Sequence, residues 1–170
     1  MVILLVNVIY FKYMRKLLNV SSVLAKIVGV LLVIGGIWGI HFTYKNVAQE
    51  HITTSPDSAM PGRLVAGPFT LKAQADVIRM HVLKMTGGKT YAEMPQTIAK
   101  LDDSGKPVLD EKGQAVMVPN TAREIWVTAT TLTTALNLGI VTYAFSALIL
   151  LFGLISFLTG VVFSSLAKRY

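Results

Sequence analysis

Leu136–Phe163 reads LNLGIVTYAFSALILLFGLISFLTGVVF, 28 residues without one charged side chain. The hydrocarbon core of a bilayer is crossed by roughly 20 apolar residues in helical form. The stretch can therefore cross with some tilt, and it predicts a transmembrane helix over 136–166. Toward the N-terminus, Ile125, Ala129, Leu132 and Leu136 continue one apolar face with no glycine or proline between them. Thr121-Ala122-Arg123-Glu124 has the form of a capping box, in which the threonine covers a free backbone amide and the glutamate reaches back. A single helix from about Thr121 to Leu166 follows, roughly 65–70 Å long at 1.5 Å per residue. Its first turns form a stem outside the membrane.

A second apolar block, Ile27–Tyr44 (IVGVLLVIGGIWGIHFTY), follows a basic flank and is not followed by a small-x-small cleavage site. It reads as an uncleaved signal anchor spanning 27–44. Gly35 and Gly39 form a G-x-x-x-G pair that lets another helix backbone approach closely, and the second span is the expected partner. Trp38 and Tyr44 suit the outer interface. Thr130, Thr134 and Asn137 belong to a hydroxyl-rich surface on the stem and upper span that either packs on a partner helix or bonds back to its own carbonyls. Residues 1–13 begin with an apolar run of only 11 residues, Met1–Phe11, too short to span. They are either a mis-called start or a short interfacial helix.

Charge placement sets the expected topology. The chain carries 16 Lys or Arg, 9 Asp or Glu, a net charge of +7 and a mean hydropathy of +0.58. Lys12, Arg15, Lys16 and Lys26 precede or enter the first block and Lys168 and Arg169 follow the last, with no acid near either group. Tyr44–Glu124 is nearly balanced, with ten cations against nine anions. The positive-inside bias places both termini (1–26 and 167–170) in the cytoplasm, the centre (45–135) outside, and the chain in the plasma membrane. A nucleic-acid groove would need clustered cations in the central part, and none is there. Cysteine is absent, so disulfides and thiolate metal sites are excluded.

The central part predicts a small α+β domain. Lys45–Gly67 is rich in turn residues and reads as irregular. Thr70 is placed as the N-cap of a helix over 71–86, with Leu71, Ala75, Ile78, Val82 and Met85 as its apolar face and Thr86-Gly87-Gly88 as its stop. From Gln96 to Val118 short apolar pieces alternate with tight turns, predicting a hairpin over about 107–118 that pairs Val108-Leu109 with Ala115–Val118, Pro107 marking an edge.

No catalytic constellation emerges. Gly88-Lys89-Thr90 lacks the earlier glycine of a phosphate loop, position 83 being leucine, and it ends a helix where phosphate binding uses the start of one. His41, His51 and His81 have no helical ligand spacing, so neither metal nor other cofactor is expected. Asp102, Asp103, Asp110 and Glu111 lie where turns want them, without a calcium-loop pattern. No Asp, Glu, Lys, Arg or His lies in the second span, which argues against an ion path. His81, Lys89 and Tyr91 are the candidate outer-face binding residues.

At Ala66-Gly67-Pro68-Phe69, Ala73-Gln74-Ala75-Asp76-Val77-Ile78, His81 and the run Thr86-Gly87-Gly88-Lys89-Thr90-Tyr91-Ala92-Glu93, the chain resembles a family of small actinobacterial membrane proteins often called aromatic ring-opening dioxygenases. The resemblance covers Ile27 to the end and implies two spans around an outer domain. Lys100–Val118 is longer than usual in that family. Its name implies a non-haem iron enzyme, but the sequence offers no iron ligand set, so the name is read as misleading.

The resulting expectation is a mainly α membrane protein with two transmembrane helices, the second continuous with its stem, and a small α+β outer domain. Functionally it reads as a non-enzymatic accessory or structural component that self-associates or joins a larger membrane complex. The alternative is an envelope ligand-binding module, and a metal-dependent oxygenase stands third.

Overall fold

The computed structural model describes residues 2–169, with side chains described for residues 10–169. It is mainly helical, with α1 (Val2–Ala48), α2 (Pro68–Met85), β1 (Thr97–Ala99), β2 (Met117–Pro119) and α3 (Thr121–Ala167) in chain order. Both α1 and α3 are long and apolar enough to cross a membrane. The chain divides into two compact units, one holding α1 to Gln49 with the chain from Val141 onward, the other Glu50–Ile140.

In the first unit α1 extends well beyond the expected 27–44, because nothing from Val2 to Ala48 breaks it: the segment contains no proline. It packs antiparallel against α3 through a recurrence of small residues at intervals of seven. On α1 these are Ser22, Gly29, Gly36 and Thr43, and on α3 Ser146, Gly153, Gly160 and Ala167, all buried. An interval of seven, close to two helical turns, keeps such a stripe on one side of each helix. With no side chain between them, the backbones nearly touch. A Cβ added at Gly29 would lie 2.6 Å from the Phe157 nitrogen, and one at Gly153 2.7 Å from the Val33 nitrogen. The Ser156 hydroxyl donates to the Ala25 carbonyl at 2.9 Å.

The second unit is built on α2 and the first turns of α3. Val82, Met94, Trp126 and Ala129 form its core, with Ile78, Leu83 and Ala122 against it. On α3 the buried face is centred on Trp126 and Ala129 instead of the expected Ile125, which stays exposed. The large indole, one position on, takes the interior in its place.

Local signals at the element ends differ from the sequence reading in instructive ways. Gly67, not Thr70, is the N-cap of α2. Pro68 enters at the first helical position, where it has no amide to leave unpaired, and Thr70 Oγ1 accepts from the Ala66 and Gly67 amides, 3.1 Å each. Asn120 caps α3 in place of Thr121. Its Oδ1 accepts from the Ala122 amide while its Nδ2 donates to the Pro95 carbonyl, so one side chain holds both the start of α3 and the chain before β1. At the other end of α2, Gly87 and Gly88 adopt positive φ and their amides donate to the Lys84 and Leu83 carbonyls, the paired closure that a glycine stop predicts.

Lys45–Gly67, expected to be irregular, holds an ordered loop around Thr54. Thr53 bridges Leu64, and the buried Thr54 hydroxyl joins Met60 and Arg63. The expected pairing of Val108-Leu109 with Ala115-Val116 forms, through the Leu109–Ala115 bridge and the Val116 amide bonded to the Val108 carbonyl, but Met117 and Val118 pair elsewhere. Thr97–Ala99 pairs antiparallel with Met117–Pro119, and 107–109 is held by isolated bridges, Leu101 with Pro107 and Leu109 with Ala115. The cause is an eight-residue repeat, Leu-Asp-x-x-Gly-x-x-Val, at 101–108 and 109–116. Asp102 Oδ1 accepts from the Ser104 and Lys106 amides, and Asp110 Oδ1 from Lys112 and Gln114, in matching turns. The amides of Lys100, Val108 and Val116 donate to the carbonyls of Val116, Lys100 and Val108, closing a three-cornered ring of backbone bonds.

Candidate functional site

The expected outer-face residues do not form one cluster. His81, on the solvent side of α2, turns to the preceding loop, where its Nε2 lies 2.6 Å from Asp57 Oδ2. Asp57 Oδ1 accepts from the Ser55 hydroxyl at 2.6 Å. The hydroxyl bond first, and the imidazole second, hold the Asp57 carboxyl down at about 2. A serine nucleophile needs a base at its own oxygen, whereas here the carboxylate stands between serine and histidine and receives from both. With the Ser55 amide bonded to Gln74 Oε1 at 3.2 Å, the arrangement is a clamp fastening the loop to α2.

Tyr91 is engaged elsewhere. The Arg123 guanidinium lies over its ring, 3.9 Å from the centroid, and donates to the Met94 carbonyl. Together they anchor the short 3₁₀ turn Tyr91–Glu93 to α3. Glu93 accepts from the Thr90 amide at 2.7 Å and from its hydroxyl at 2.8 Å, and these bonds, the amide's first, lower its carboxyl below the usual range. Lys89 is exposed, and its carbonyl accepts from the Thr86 hydroxyl.

His81 does border one concave feature. An open groove of about 490 Å³ runs between α2 and α3, with Ile78, Val82, Met85, Ile125 and Leu132 among its apolar walls and Glu124 beside them. Such a surface suits an apolar or amphiphilic guest, because its walls offer few polar atoms to orient a sugar or a nucleotide. Among the described residues, no group of three His, Asp or Glu side chains is placed to hold a metal ion.

Of the helix-packing residues, Gly39 meets Ser146: a Cβ there would fall 2.5 Å from Ser146 Oγ. Gly35 has open space around it, and its neighbour Gly36 makes the close approach, to Leu150 and Ser146. Thr130, Thr134 and Asn137 are exposed on α3. Several neighbouring hydroxyls bond back into the helix, Thr128 to the Glu124 carbonyl and Thr131 to that of Val127. The seven-residue recurrence of small residues is the signal that picks out Gly29, Gly36, Gly153 and Gly160, and the G-x-x-x-G reading overlooks it.

No protein-family model matches the chain, and neither the curated proteins nor the solved structures include a significant match to it.

Proposed function

We propose that the protein is a non-enzymatic integral membrane protein whose α1 and α3 cross the plasma membrane as a pair and carry Glu50–Ile140 as an extracytoplasmic domain, within a larger membrane complex or a homo-oligomer. The observation that carries this reading is the first unit. Its two apolar helices meet backbone to backbone, so that large apolar side chains, Leu31, Ile34, Phe145 and Leu158 among them, are left facing outward. In water such a surface is costly, whereas lipid tails solvate it. The resemblance to the actinobacterial two-span family belongs to the same proposal. The test is resistance to alkaline carbonate extraction, followed by mild solubilisation, native-size separation and mass spectrometry of what migrates with the chain. Release by carbonate, or a lone monomer, contradicts the reading.

A second reading, a ligand-binding module for an apolar envelope molecule, draws on the groove beside His81. It predicts that capture of such a molecule is lost when Leu132, an exposed wall residue, is replaced by Trp to fill the groove. Unchanged capture ends it.

A further inference from the structure

The whole net charge of the protein lies in the first unit. Glu50–Ile140 contains nine Lys or Arg and nine Asp or Glu, whereas the remainder holds seven cations, Lys12, Arg15, Lys16, Lys26, Lys45, Lys168 and Arg169, and no acid at all. The packing gathers five of the seven. The residues that α1 and α3 bring together have numbers adding to 181–186, among them Ser22 with Gly160, Ala25 with Ser156 and Gly36 with Ser146 and Leu150. Continued to Ala167, where α3 ends, the same register reaches Arg15 and Lys16, with Lys168 and Arg169 following in the next turn and Lys12 one helical turn beyond on α1. Ala167, only 2% exposed, shows that α3 is still packed where this end is reached. All five cations are exposed. Among the described residues of this unit there is no Asp or Glu to pair with them, so no acidic side chain of the unit supplies their counter-charge.

Two further observations say what supplies it. On α1, Lys16 and Lys45 are 29 residues apart, about 43 Å of helix at 1.5 Å per residue, which matches a bilayer measured between its headgroup layers, about 40–45 Å. Lys26 lies between them with its stem over Gly160, where a Cβ would be 2.7 Å from its Cγ, and a stem laid along a helix this way can carry its ammonium toward the interface. Beside Lys16 is a hollow of about 260 Å³ lined by Tyr13, Lys16, Leu17 and Val20. These four share one face of α1, with Leu17 about one turn beyond Tyr13 and Val20 about one turn beyond Lys16. That is the order of a phospholipid, phosphate first and acyl chain after.

We infer that this end of the helix pair is a binding site for acidic phospholipid, with the headgroup phosphate held among Lys12, Arg15, Lys16, Lys168 and Arg169 and an acyl chain lying along Leu17 and Val20. The inference rests on the membrane reading above and adds a ligand to it. Each Lys or Arg near an anionic membrane surface strengthens association with it roughly five-fold, and salt screens the effect.

The test uses the full chain reconstituted in vesicles of equimolar phosphatidylglycerol and phosphatidylcholine. Electron paramagnetic resonance of spin-labelled lipid measures the fraction of each headgroup held by the protein. The expected result is a preference for phosphatidylglycerol that collapses at high salt. It should weaken in Lys168→Gln/Arg169→Gln, vanish when Lys12, Arg15 and Lys16 are also changed to Gln, and survive Lys45→Gln. Exchanging lysine and arginine among the five sites should retain it. Equal association of both lipids, or a preference surviving salt and neutralisation, overturns the inference and leaves the membrane reading standing. A chain washed off the vesicles by alkali overturns both.

Discussion

Ser22 donates its hydroxyl hydrogen to the Gly160 carbonyl across the α1–α3 interface at 2.7 Å, from a position only 2% exposed. The bond marks where the two backbones meet, but the glycines matter more to the pairing. An interhelical hydrogen bond between apolar helices contributes about 0.6 kcal/mol on average, whereas forcing a larger side chain into a tight core costs about 1–3 kcal/mol. Gly29→Leu places atoms against backbone, 2.6 Å from the Phe157 nitrogen, and backbone cannot swing aside. Gly29→Leu and Gly153→Leu should therefore abolish disulfide crosslinking between cysteines introduced at Ala25 and Ser156 in this naturally cysteine-free chain. Ser22→Ala and Gly35→Leu should leave it nearly unchanged. Equal yields throughout would contradict the packing described.

Trp126 is the centre of the second core. Trp126→Ala should destabilise Glu50–Ile140 by about 3–5 kcal/mol, the usual cost of emptying a large aromatic site. Asn120→Ala should cost about 1 kcal/mol as a lost cap, with the Pro95 carbonyl left unpaired in addition. Amide exchange across α2 and the first turns of α3, measured on the full chain, reports both. Protection unchanged in Trp126→Ala would show that the core is held elsewhere.

The two aspartate turns make a local prediction. Asp110→Ala removes the acceptor of the Lys112 and Gln114 amides, and Asp102→Ala does the same at Ser104 and Lys106. Both turns are exposed, so water replaces part of each bond. The effect should lie near the lower end of the usual range of about 0.5–1.5 kcal/mol per bond. Exchange at the named amides should accelerate while that of α2 stays as it was.

Asp57 carries a pH dependence whose sign follows from its depressed carboxyl, held at about 2 by Ser55 first and His81 second. A carboxyl that is more acidic folded than unfolded contributes stability present above its ordinary value near 4. That contribution is lost as pH falls from there through about 2. The side-chain carboxyl resonance of Asp57 should titrate near 2 and move upward in Ser55→Ala. The move should be smaller in His81→Ala. A midpoint at the ordinary aspartate value would show that the clamp does not form.

Much of the fold was legible because its signals are local. Apolar length marked α1 and α3, glycine pairs stopped α2, and D-x-x-G turns announced the short strands. The capping residues were misplaced by one to three positions because Asn120 and Gly67 were chosen by what lies across from them. Thr121 and Thr70 merely had the right chemistry. The binding candidates fared differently: His81, Lys89 and Tyr91 are near in sequence, but His81 is drawn to Asp57 and Tyr91 to Arg123, partners 24 and 32 positions away. No spacing rule on α2 could have found them.

The sequence by itself determined where charge and apolar surface lie along the chain, because both are sums over side chains that hold whatever the fold. It also contained the seven-residue recurrence of small residues that makes the close helix pair possible. Only the tertiary structure decided which glycines are used. Gly35 and Gly36 are chemically identical, but consecutive helical positions point about 100° apart, so the face α1 turns toward α3 separates them. The same antiparallel register gathers cations some 150 residues apart in the chain at one end of the pair. Sequence can count those charges, but bringing them together depends on the direction and offset with which two helices meet.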